Sequence, residues 1–141
     1  MCNCSSLHIT HNDIVNATSI GGRTFAGVAS FPDHLVLSNL TSLGDWPWPN
    51  CDIVSADFTG STFTTVKHGL FEGHSRLDHV TMPASLTSFV GWGWFRYCSS
   101  LRWIKFLGTT CPSFESGKDE TYLGFSATVK IYVPDSAVTT Y

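Results

Sequence analysis

The chain has 141 residues, of which 43% are hydrophobic, and its formal net charge is −3. That length suits one domain with a real core. Charged residues make up only 13% of the chain, whereas soluble domains average roughly 25%. A total of eight Lys and Arg argues against nucleic-acid binding, which needs a basic surface to meet phosphates. No apolar run approaches the ~18 residues of a membrane span, so membrane insertion is not expected.

Apolar residues recur along the chain at a step of 23 or 24 positions. Four series keep this step: Ile20, Leu43, Val66 and Phe89; Phe25, Trp48, Phe71 and Phe95; Val28, Cys51, His74 and Cys98; Phe31, Val54, Leu77 and Leu101. One such unit cannot bury its apolar side chains alone, but stacked units can. A fixed period of this length is therefore typical of a solenoid, in which each coil contacts only its neighbours.

The predicted elements follow this period from the start of the chain. Residues 1–13 are interpreted as a broken first coil, in which Leu7 and Ile9 are expected to add a strand at the open end of the sheet. The first full repeat covers about 17–37. It contains a short strand with its turn, and then a longer strand at 31–37.

The second repeat has the same short strand at 40–44, followed by a turn at 45–50 that contains two prolines. Because proline fixes the backbone, this turn is expected to be rigid and to present Trp46. The longer strand at 54–58 carries one residue more than its counterparts. An extra residue of this kind predicts a β-bulge.

The third and fourth repeats are the most regular. The third covers 63–82 and departs from the pattern only in His74, which stands where the fourth has a cysteine. The fourth covers 86–106. After Phe106 the repeat is expected to stop, and the composition of 108–124, rich in Gly, Ser, Thr and charge, predicts a loop.

The end of the chain is predicted to form a cap. Residues 129–133 alternate as a strand does, and Pro134 ends that strand. Asp135 or Ser136 is expected to cap a short helical turn that ends at Tyr141. A cap of this kind covers the exposed core of the last repeat, which a solenoid needs for solubility.

The residues at 86–106, Leu-Thr-Ser-Phe … Phe-x-x-Cys-x-Ser-Leu-x-x-Ile-x-Phe, resemble the BspA-like leucine-rich repeats of bacterial surface proteins. The ending at 131–141, IYVPDSAVTTY, is similar to the segment that closes such arrays in gut Bacteroidetes proteins. Repeat and resemblance together predict a mainly β leucine-rich-repeat solenoid of about five 23-residue turns with a C-terminal cap. We expect the solenoid at 1–107 and, in the same domain, a loop and capping segment at 108–141.

The five cysteines are an odd number and leave the redox compartment open. Cys51 and Cys98 share one repeat position and are interpreted as buried core thiols, since free Cys is among the most buried residue types. Cys111, in the loop after the last repeat, is the thiol to test for reactivity. A weak cluster of metal-ligating residue types at the start of the chain consists of Cys2, Cys4, His8 and His11. We expect no functional metal there and no cofactor.

Three histidines fall within the third repeat, but they do not predict a second metal site. Zinc needs three or four ligands that converge. His74 is expected to point into the core, while His68 and His79 are expected on different faces of the coil. Their side chains are therefore not expected to meet.

No catalytic motif occurs in the sequence: a GxSxG elbow, an HExxH pair, a phosphate loop and a Gly-rich dinucleotide turn are all missing. Among the acids, Asp119 and Glu120 are adjacent in the predicted loop, and Asp78 is expected to face solvent. A glycosidase needs two carboxylates held across a cleft, roughly 5–10 Å apart. Loop acids without a rigid frame do not offer that arrangement, so no enzyme activity is expected.

Outward-facing residues of the longer strands are the first candidate contact surface. In the fourth repeat the strand period of two places Trp103 and Lys105 outward, and the equivalent residues of the third repeat are His79 and Thr81. An outward Trp serves as an anchor for a protein partner or as a platform for a sugar, unless it is only packed. Arg102 and Lys105 would suit an acidic or carboxylate-bearing partner.

A second candidate patch lies at the turns, where Trp46, Trp92 and Trp94 are expected. The competing interpretation is that Trp48 and Trp94 fill the core. These residue types, like those of the strand face, indicate recognition rather than catalysis.

The function predicted from the residues and the resemblance is a non-enzymatic recognition module that binds protein or glycan. The resemblance implies an extracellular or cell-surface location and adhesion to host matrix proteins or other bacteria. An alternative is a structural or decorating subunit of a larger assembly, such as a bacteriophage particle, which contacts neighbouring subunits. A third is a repeat appendage of a longer exported enzyme. The start of the chain resembles no signal peptide, and two origins stay open: a piece of a longer exported protein, or a small gene product without a leader.

Overall fold

The computed structural model describes residues 6–115 and 128–138, in which the chain winds as stacked coils. The elements within these residues are, in chain order, α1 (His11–Ile14), β1 (Ser19–Ile20), β2 (His34–Val36), β3 (Ser42–Leu43), β4 (Ser55–Asp57), β5 (Thr65–Val66), β6 (His79–Met82), β7 (Ser88–Phe89), β8 (Trp103–Phe106), β9 (Ser113–Phe114), β10 (Lys130–Tyr132) and a 3-10 turn (Asp135–Ala137). No helix of the described residues is long and apolar enough to cross a membrane.

The longer strands form one parallel sheet of five in the order β10-β8-β6-β4-β2, so each coil pairs with the next. Alternate residues of these strands enter the core, because successive side chains of a strand face opposite sides. One inward row consists of Leu35, Ala56, Val80 and Ile104, all buried. The predicted mainly β repeat solenoid is confirmed, and the strand predicted in the capping segment forms β10.

The short strands line a second side of the coils. β1 pairs with β3, and β5, β7 and β9 form a three-stranded parallel sheet. Their inward residues stand in register, Ile20 opposite Leu43, and Val66 opposite Phe89. The predicted column is confirmed, but the expectation that the repeat stops after the fourth unit is wrong. Phe114 of β9 continues the column and stacks on Phe89 with ring centroids 5.5 Å apart.

The predicted bulge in the second long strand is wrong. β4 pairs with β6 residue for residue over all three of its positions. By this register the inward partner of Leu77 is Ile53, which is fully buried, whereas Val54 is half-buried. The extra residue of this repeat lies in the turn after the strand, at 59–62, where it leaves the hydrogen-bond ladder intact.

Aromatic rings form a spine through the coils. Trp48 stacks on Phe71 at 5.5 Å, and Phe71 stacks on Phe95 at 5.9 Å. The buried indole N–H of Trp48 donates to the Leu70 carbonyl oxygen at 2.6 Å, which satisfies its one polar group. Trp94 is also fully buried. The interpretation of Trp48 and Trp94 as core residues is confirmed.

The start of the described chain does not form the strand expected at Leu7 and Ile9. Only a single bridge forms there, in which the Ile9 N–H donates to the Ser30 carbonyl oxygen at 3.0 Å. The chain then turns into α1, because the Thr10 N–H donates to Asp13 Oδ2 at 2.8 Å and so satisfies a donor at the helix start.

In the capping segment β10 pairs in parallel with β8 and ends at Tyr132, shortly before Pro134, so the predicted strand is confirmed. The short helical turn is present as a 3-10 turn, but the expected cap by Asp135 or Ser136 is wrong. Pro134 occupies the cap position without a side-chain hydrogen bond, and its carbonyl oxygen accepts the Ala137 N–H at 2.8 Å. The predicted end of this turn, Tyr141, lies outside the described residues.

Candidate functional site

The outward side chains of the five-stranded sheet stand in two columns. The first column contains His34, Ser55, His79, Trp103 and Lys130, and the second contains Val36, Asp57, Thr81, Lys105 and Tyr132. All four residues predicted for the strand face lie in these columns, on neighbouring strands β6 and β8. Neighbouring members are one strand spacing apart, about 4.8 Å. Outward side chains of neighbouring strands therefore lie next to one another along each column of the sheet.

Five of these residues, at the end of the sheet formed by β6, β8 and β10, make up the strand-face patch: His79, Trp103, Lys105, Lys130 and Tyr132. The Trp103 ring stacks on His79 with centroids 4.4 Å apart and planes 14° apart. Tyr132 meets Trp103 edge-on at 5.9 Å. Thr81 lies half-buried beside Lys105. The Trp103 indole is thus held between two rings.

Asp78 lies beside the patch, where it binds Arg102 and the imidazole of His79 instead of simply facing solvent. His79 Nδ1 donates to Asp78 Oδ2 at 2.8 Å, and Arg102 forms an ion pair with both carboxylate oxygens. Hydrogen bonds from Arg102 and then His79 lower the pKa of Asp78 to about 2. Arg102 is thus paired within the chain. Of the two cations predicted beside Trp103, Arg102 and Lys105, only Lys105 forms no ion pair with a described residue.

Two adjoining open hollows flank Trp103. The larger, about 420 Å³, is lined by Trp103, Lys105, Tyr132 and Val133. The smaller, about 290 Å³, is lined by Leu101, Arg102, Trp103, Thr128, Lys130 and Tyr132. Lys105 and Lys130 are exposed and form no ion pair with any residue that the structure describes. The patch therefore combines an aromatic ridge with two unpaired positive charges.

Of the three tryptophans predicted for the turn patch, Trp94 lies in the core. The other two form a turn cluster, which consists of Asp45, Trp46, His68, Glu72 and Trp92. Trp46 stacks on His68 at 5.4 Å, and Trp92 meets Trp46 edge-on at 5.7 Å. The Trp46 indole N–H donates to Glu72 Oε2 at 2.9 Å. His68 Nδ1 donates to Asp45 Oδ1 at 3.0 Å. Trp46 is half-buried, and Trp92 is the exposed tryptophan of the cluster.

Gly69 explains why Trp46 lies flat. Trp46, Gly69 and Trp92 hold one position of the turn in successive coils. Gly69 has φ +59°, and an added Cβ there would stand 2.0 Å from Trp46 Nε1. The missing side chain lets Trp46 fold onto the next coil and touch Trp92, two coils away. Trp46 has φ +44°, a value that is rare for bulky residues, so these contacts also offset backbone strain.

Partial burial opposes the ionisation of Asp45, but the side-chain and backbone hydrogen bonds from His68 outweigh it and lower the pKa of Asp45. Arg23 lies over the Trp46 ring at 5.5 Å. Arg96 lies over Trp92 at 5.9 Å. The polar groups of the turn cluster are thus bound to one another, in contrast to the two lysines of the strand face.

The remaining candidates lie in the core or at its edge. Cys51 and Cys98 are buried, and burial raises the pKa of each thiol to about 12, so the core interpretation holds for both. His74 lies between them in the coil stack, buried as predicted, and burial lowers its pKa. Cys111 is exposed, but partial desolvation raises the pKa of its thiol, which disfavours the reactive thiolate.

Within the described residues no group of three His, Cys, Asp or Glu side chains is arranged to hold a metal ion. His68 and His79 belong to the two separate surfaces, as predicted, each bound to its own aspartate. Four residues considered for metal binding or catalysis lie outside the described residues: Cys2, Cys4, Asp119 and Glu120.

Lys130 and Tyr132 of the strand-face patch were missing from the residues predicted from sequence. The signal was present, because the capping strand was predicted at 129–133 and its alternation places these two residues on one side. Which strand it joins, and in which register, does not follow from alternation. Pairing of Lys130 with Trp103 brings them into the patch.

Comparison with known proteins supports the repeat assignment. Residues 1–116 match the family model described as BspA type leucine rich repeat region, in six copies. No curated protein and no solved structure matches the chain.

Proposed function

The chain belongs to the BspA-type leucine-rich-repeat family, and from that premise we propose that it is a recognition module that binds a protein or glycan through the strand-face patch. Proteins of this family are generally non-catalytic repeat modules that mediate interactions, and BspA-type members are typically surface-associated bacterial proteins. The finer proposal is an adhesin-like role outside the cell or at its surface.

One observation carries the choice of the strand face: the Trp103 indole stands upright between His79 and Tyr132 beside a hollow of about 420 Å³. Large aromatics at the centre of a contact surface contribute most of the binding energy. A ring held by its neighbours also loses little conformational entropy when a partner binds. Lys105 and Thr81 extend the contact along the second column.

The turn cluster supports a smaller role. Trp46 is engaged by Glu72 and packed on Gly69, so Trp92, 38% exposed, is the tryptophan through which this cluster would meet a partner. We therefore place the main contact on the strand face and a secondary contact at Trp92.

A binding screen tests this proposal. Immobilised glycans and extracellular-matrix proteins are probed with the wild-type chain, Trp103→Ala and Trp92→Ala. We expect Trp103→Ala to weaken the best ligand by roughly thirtyfold, as truncation of an interface anchor does, and Trp92→Ala to weaken it by less. Circular dichroism checks that each variant folds. A ligand lost with Trp92→Ala but kept by Trp103→Ala would move the site to the turn cluster.

A second candidate function is a structural or decorating subunit of a larger assembly, such as a bacteriophage particle. One observation favours it: within the described residues β2 pairs on one side only, and its residue Val36 is 52% exposed. Unpaired strand edges invite association. Concentration-dependent self-association that Val36→Lys abolishes, with no ligand in the screen, would favour this function over ligand recognition.

A further inference from the structure

Lysines and aromatics alternate on the strand-face patch. Lys130 stands opposite Trp103 in the first column, and Tyr132 stands opposite Lys105 in the second. The two aromatics therefore occupy one diagonal of a square, with ring centroids 5.9 Å apart. The two lysines occupy the other diagonal. A ligand on this square meets a ring surface with a positive charge on either side.

From this arrangement we infer that the ligand of the strand-face patch is a saccharide that carries carboxylate groups, such as a uronic-acid oligosaccharide. The inference rests on the proposed function and names its ligand class. His79 covers one face of the Trp103 indole, so the C–H groups of a pyranose ring pack against the exposed Tyr132 ring beside it, since the face of an aromatic ring is negative. A ring carboxylate then reaches an ammonium group at the rim.

The charges favour an acidic sugar over a neutral one. Three lysines lie in the described residues, at 67, 105 and 130, and two of them flank Trp103. The neighbouring cation, Arg102, is neutralised by Asp78, so the lysines are the groups left to bind an anion. Both belong to a chain of net charge −3, in which unpaired positive charge is scarce. A hydrogen bond to a charged group is stronger than one between neutral groups.

The backbone favours a sugar over an acidic peptide. Extended peptides commonly bind by adding a strand to a free sheet edge. Within the described residues the free edge of the sheet at this end is the outer side of β10, one strand away from Trp103. β8 is paired with β6 on one side and with β10 on the other, so its backbone groups are already satisfied at Trp103 and Lys105. Recognition there depends on side chains. The hollow, lined by four residues, matches one or two sugar rings better than a long chain.

Calorimetric titration of the whole chain tests the inference with three probes: trigalacturonate, its methyl ester and hexaglutamate. The methyl ester keeps the sugar rings and removes the charge. We expect trigalacturonate to bind about tenfold more tightly than its ester, because each charge-assisted hydrogen bond to a lysine is lost in the ester. The preference should shrink as the salt concentration rises.

Matched variants locate the charge effect. Lys105→Gln should weaken trigalacturonate binding by about tenfold and leave the ester unchanged. Lys130→Gln is the second variant, in case the first perturbs folding. Lys67→Gln, an exposed lysine away from the patch, is the control and should change nothing. Trp103→Ala should weaken both sugars. Equal binding of acid and ester, or an equal loss with Lys67→Gln, would overturn the inference.

The outcomes separate the inference from the function on which it rests. Binding of hexaglutamate with the same lysine dependence, and none of trigalacturonate, would replace the sugar by an acidic protein and leave the strand-face patch in place. If neither trigalacturonate nor hexaglutamate binds while the wider screen finds a Trp103-dependent ligand, the acidic-sugar inference is wrong, and the strand-face patch stays in place as the binding site. Only a screen in which no ligand depends on Trp103 contradicts the proposed function itself.

Discussion

The strand-face patch and the turn cluster contain the same three side chains in different settings. The two triads are Trp103, His79 and Asp78 on the strand face, and Trp46, His68 and Asp45 at the turns. In both, the indole stacks on the imidazole within 20° of parallel, and the imidazole donates to the carboxylate at 2.8 or 3.0 Å. The chemistry of the side chains therefore does not decide what each surface does.

The backbone next to each tryptophan decides it. At the turns Gly69 leaves an open space on the following coil, and Trp46 fills it and donates its N–H to Glu72. On the strand face every position of the column has a side chain, so Trp103 has no such space to fill, and its N–H has no hydrogen-bond partner among the described residues. The Trp46 triad is therefore packed against the next coil, whereas the Trp103 triad is the one that we propose contacts a ligand.

The largest expected effect breaks the packed triad. Gly69→Ala places a Cβ where Trp46 Nε1 now lies and puts an L side chain at φ +59°. The Trp46 ring has to leave, which loses its hydrogen bond and its stacking. We expect the free energy of unfolding to fall by about 3 kcal/mol, from backbone strain and lost contacts together. Urea unfolding followed by tryptophan fluorescence measures this change.

Gly73→Ala is the matched control, because Gly73 has φ +85° but an added Cβ meets nothing within 4 Å. It should cost about 1 kcal/mol, which is the backbone term alone. In a Trp46→Ala background the cost of Gly69→Ala should fall to that of the control. If the two glycine variants are equally destabilising from the start, Gly69 does not provide the space that Trp46 occupies.

A third histidine sharpens the comparison, because His74 is buried and binds no carboxylate. Its Nε2 has no hydrogen-bond partner within the described residues, and burial lowers its pKa. The folded state then binds fewer protons than the unfolded state at this group. Its contribution to stability is complete above the ordinary histidine pKa of about 6.5 and declines as the pH falls below that value.

Replacing His74 by the residue of the adjacent coils, as in His74→Cys, should flatten the loss of stability between pH 7 and 5. Chemical unfolding at several pH values measures the slope. A slope that survives in His74→Cys would assign the acid sensitivity to another group.

Much of the fold could be predicted from sequence because the same pattern of apolar residues occurs in each repeat. The column from Ile20 to Phe89 holds because each coil adds one strand spacing and buries the same position. The register predicted from sequence is wrong at Val54. Ile53 and Val54 are adjacent apolar residues, and the period of the repeat allows either one to be the inward residue. The place of Phe114 in the column was not predicted, because it follows Phe89 by 25 residues instead of 23, through a turn that contains Gly and Pro.

The candidate surfaces follow from sequence less completely. Alternation along a strand is local, so the outward placement of Trp103 and Lys105 was predictable. Whether the indole of a turn tryptophan packs on the next coil or stays exposed depends on the residue one coil later, which for Trp46 is Gly69. That neighbour is known only once the coils are in register. The pairing of β10 with β8, which completes the strand-face patch, depends on the same information.

The smallest expected effect compares the two carboxylates. Asp78 receives Arg102 and His79, and its pKa of about 2 lies below the ordinary value near 3.8, so its stabilising contribution is present above about pH 4 and is lost as the pH falls toward 2. Asp78 and Arg102 are both partly exposed. Solvent screening therefore limits the loss of unfolding free energy in Asp78→Asn to about 0.5–1 kcal/mol at pH 7. Asp45→Asn, without a guanidinium partner, should cost less. Thermal unfolding at pH 7 and pH 2.5 tests both variants, and the Asp78→Asn difference should shrink at the lower pH. If Asp45→Asn is the more destabilising, the strand-face triad has no stronger electrostatic support than the turn triad, and only the backbone beside each tryptophan distinguishes the two.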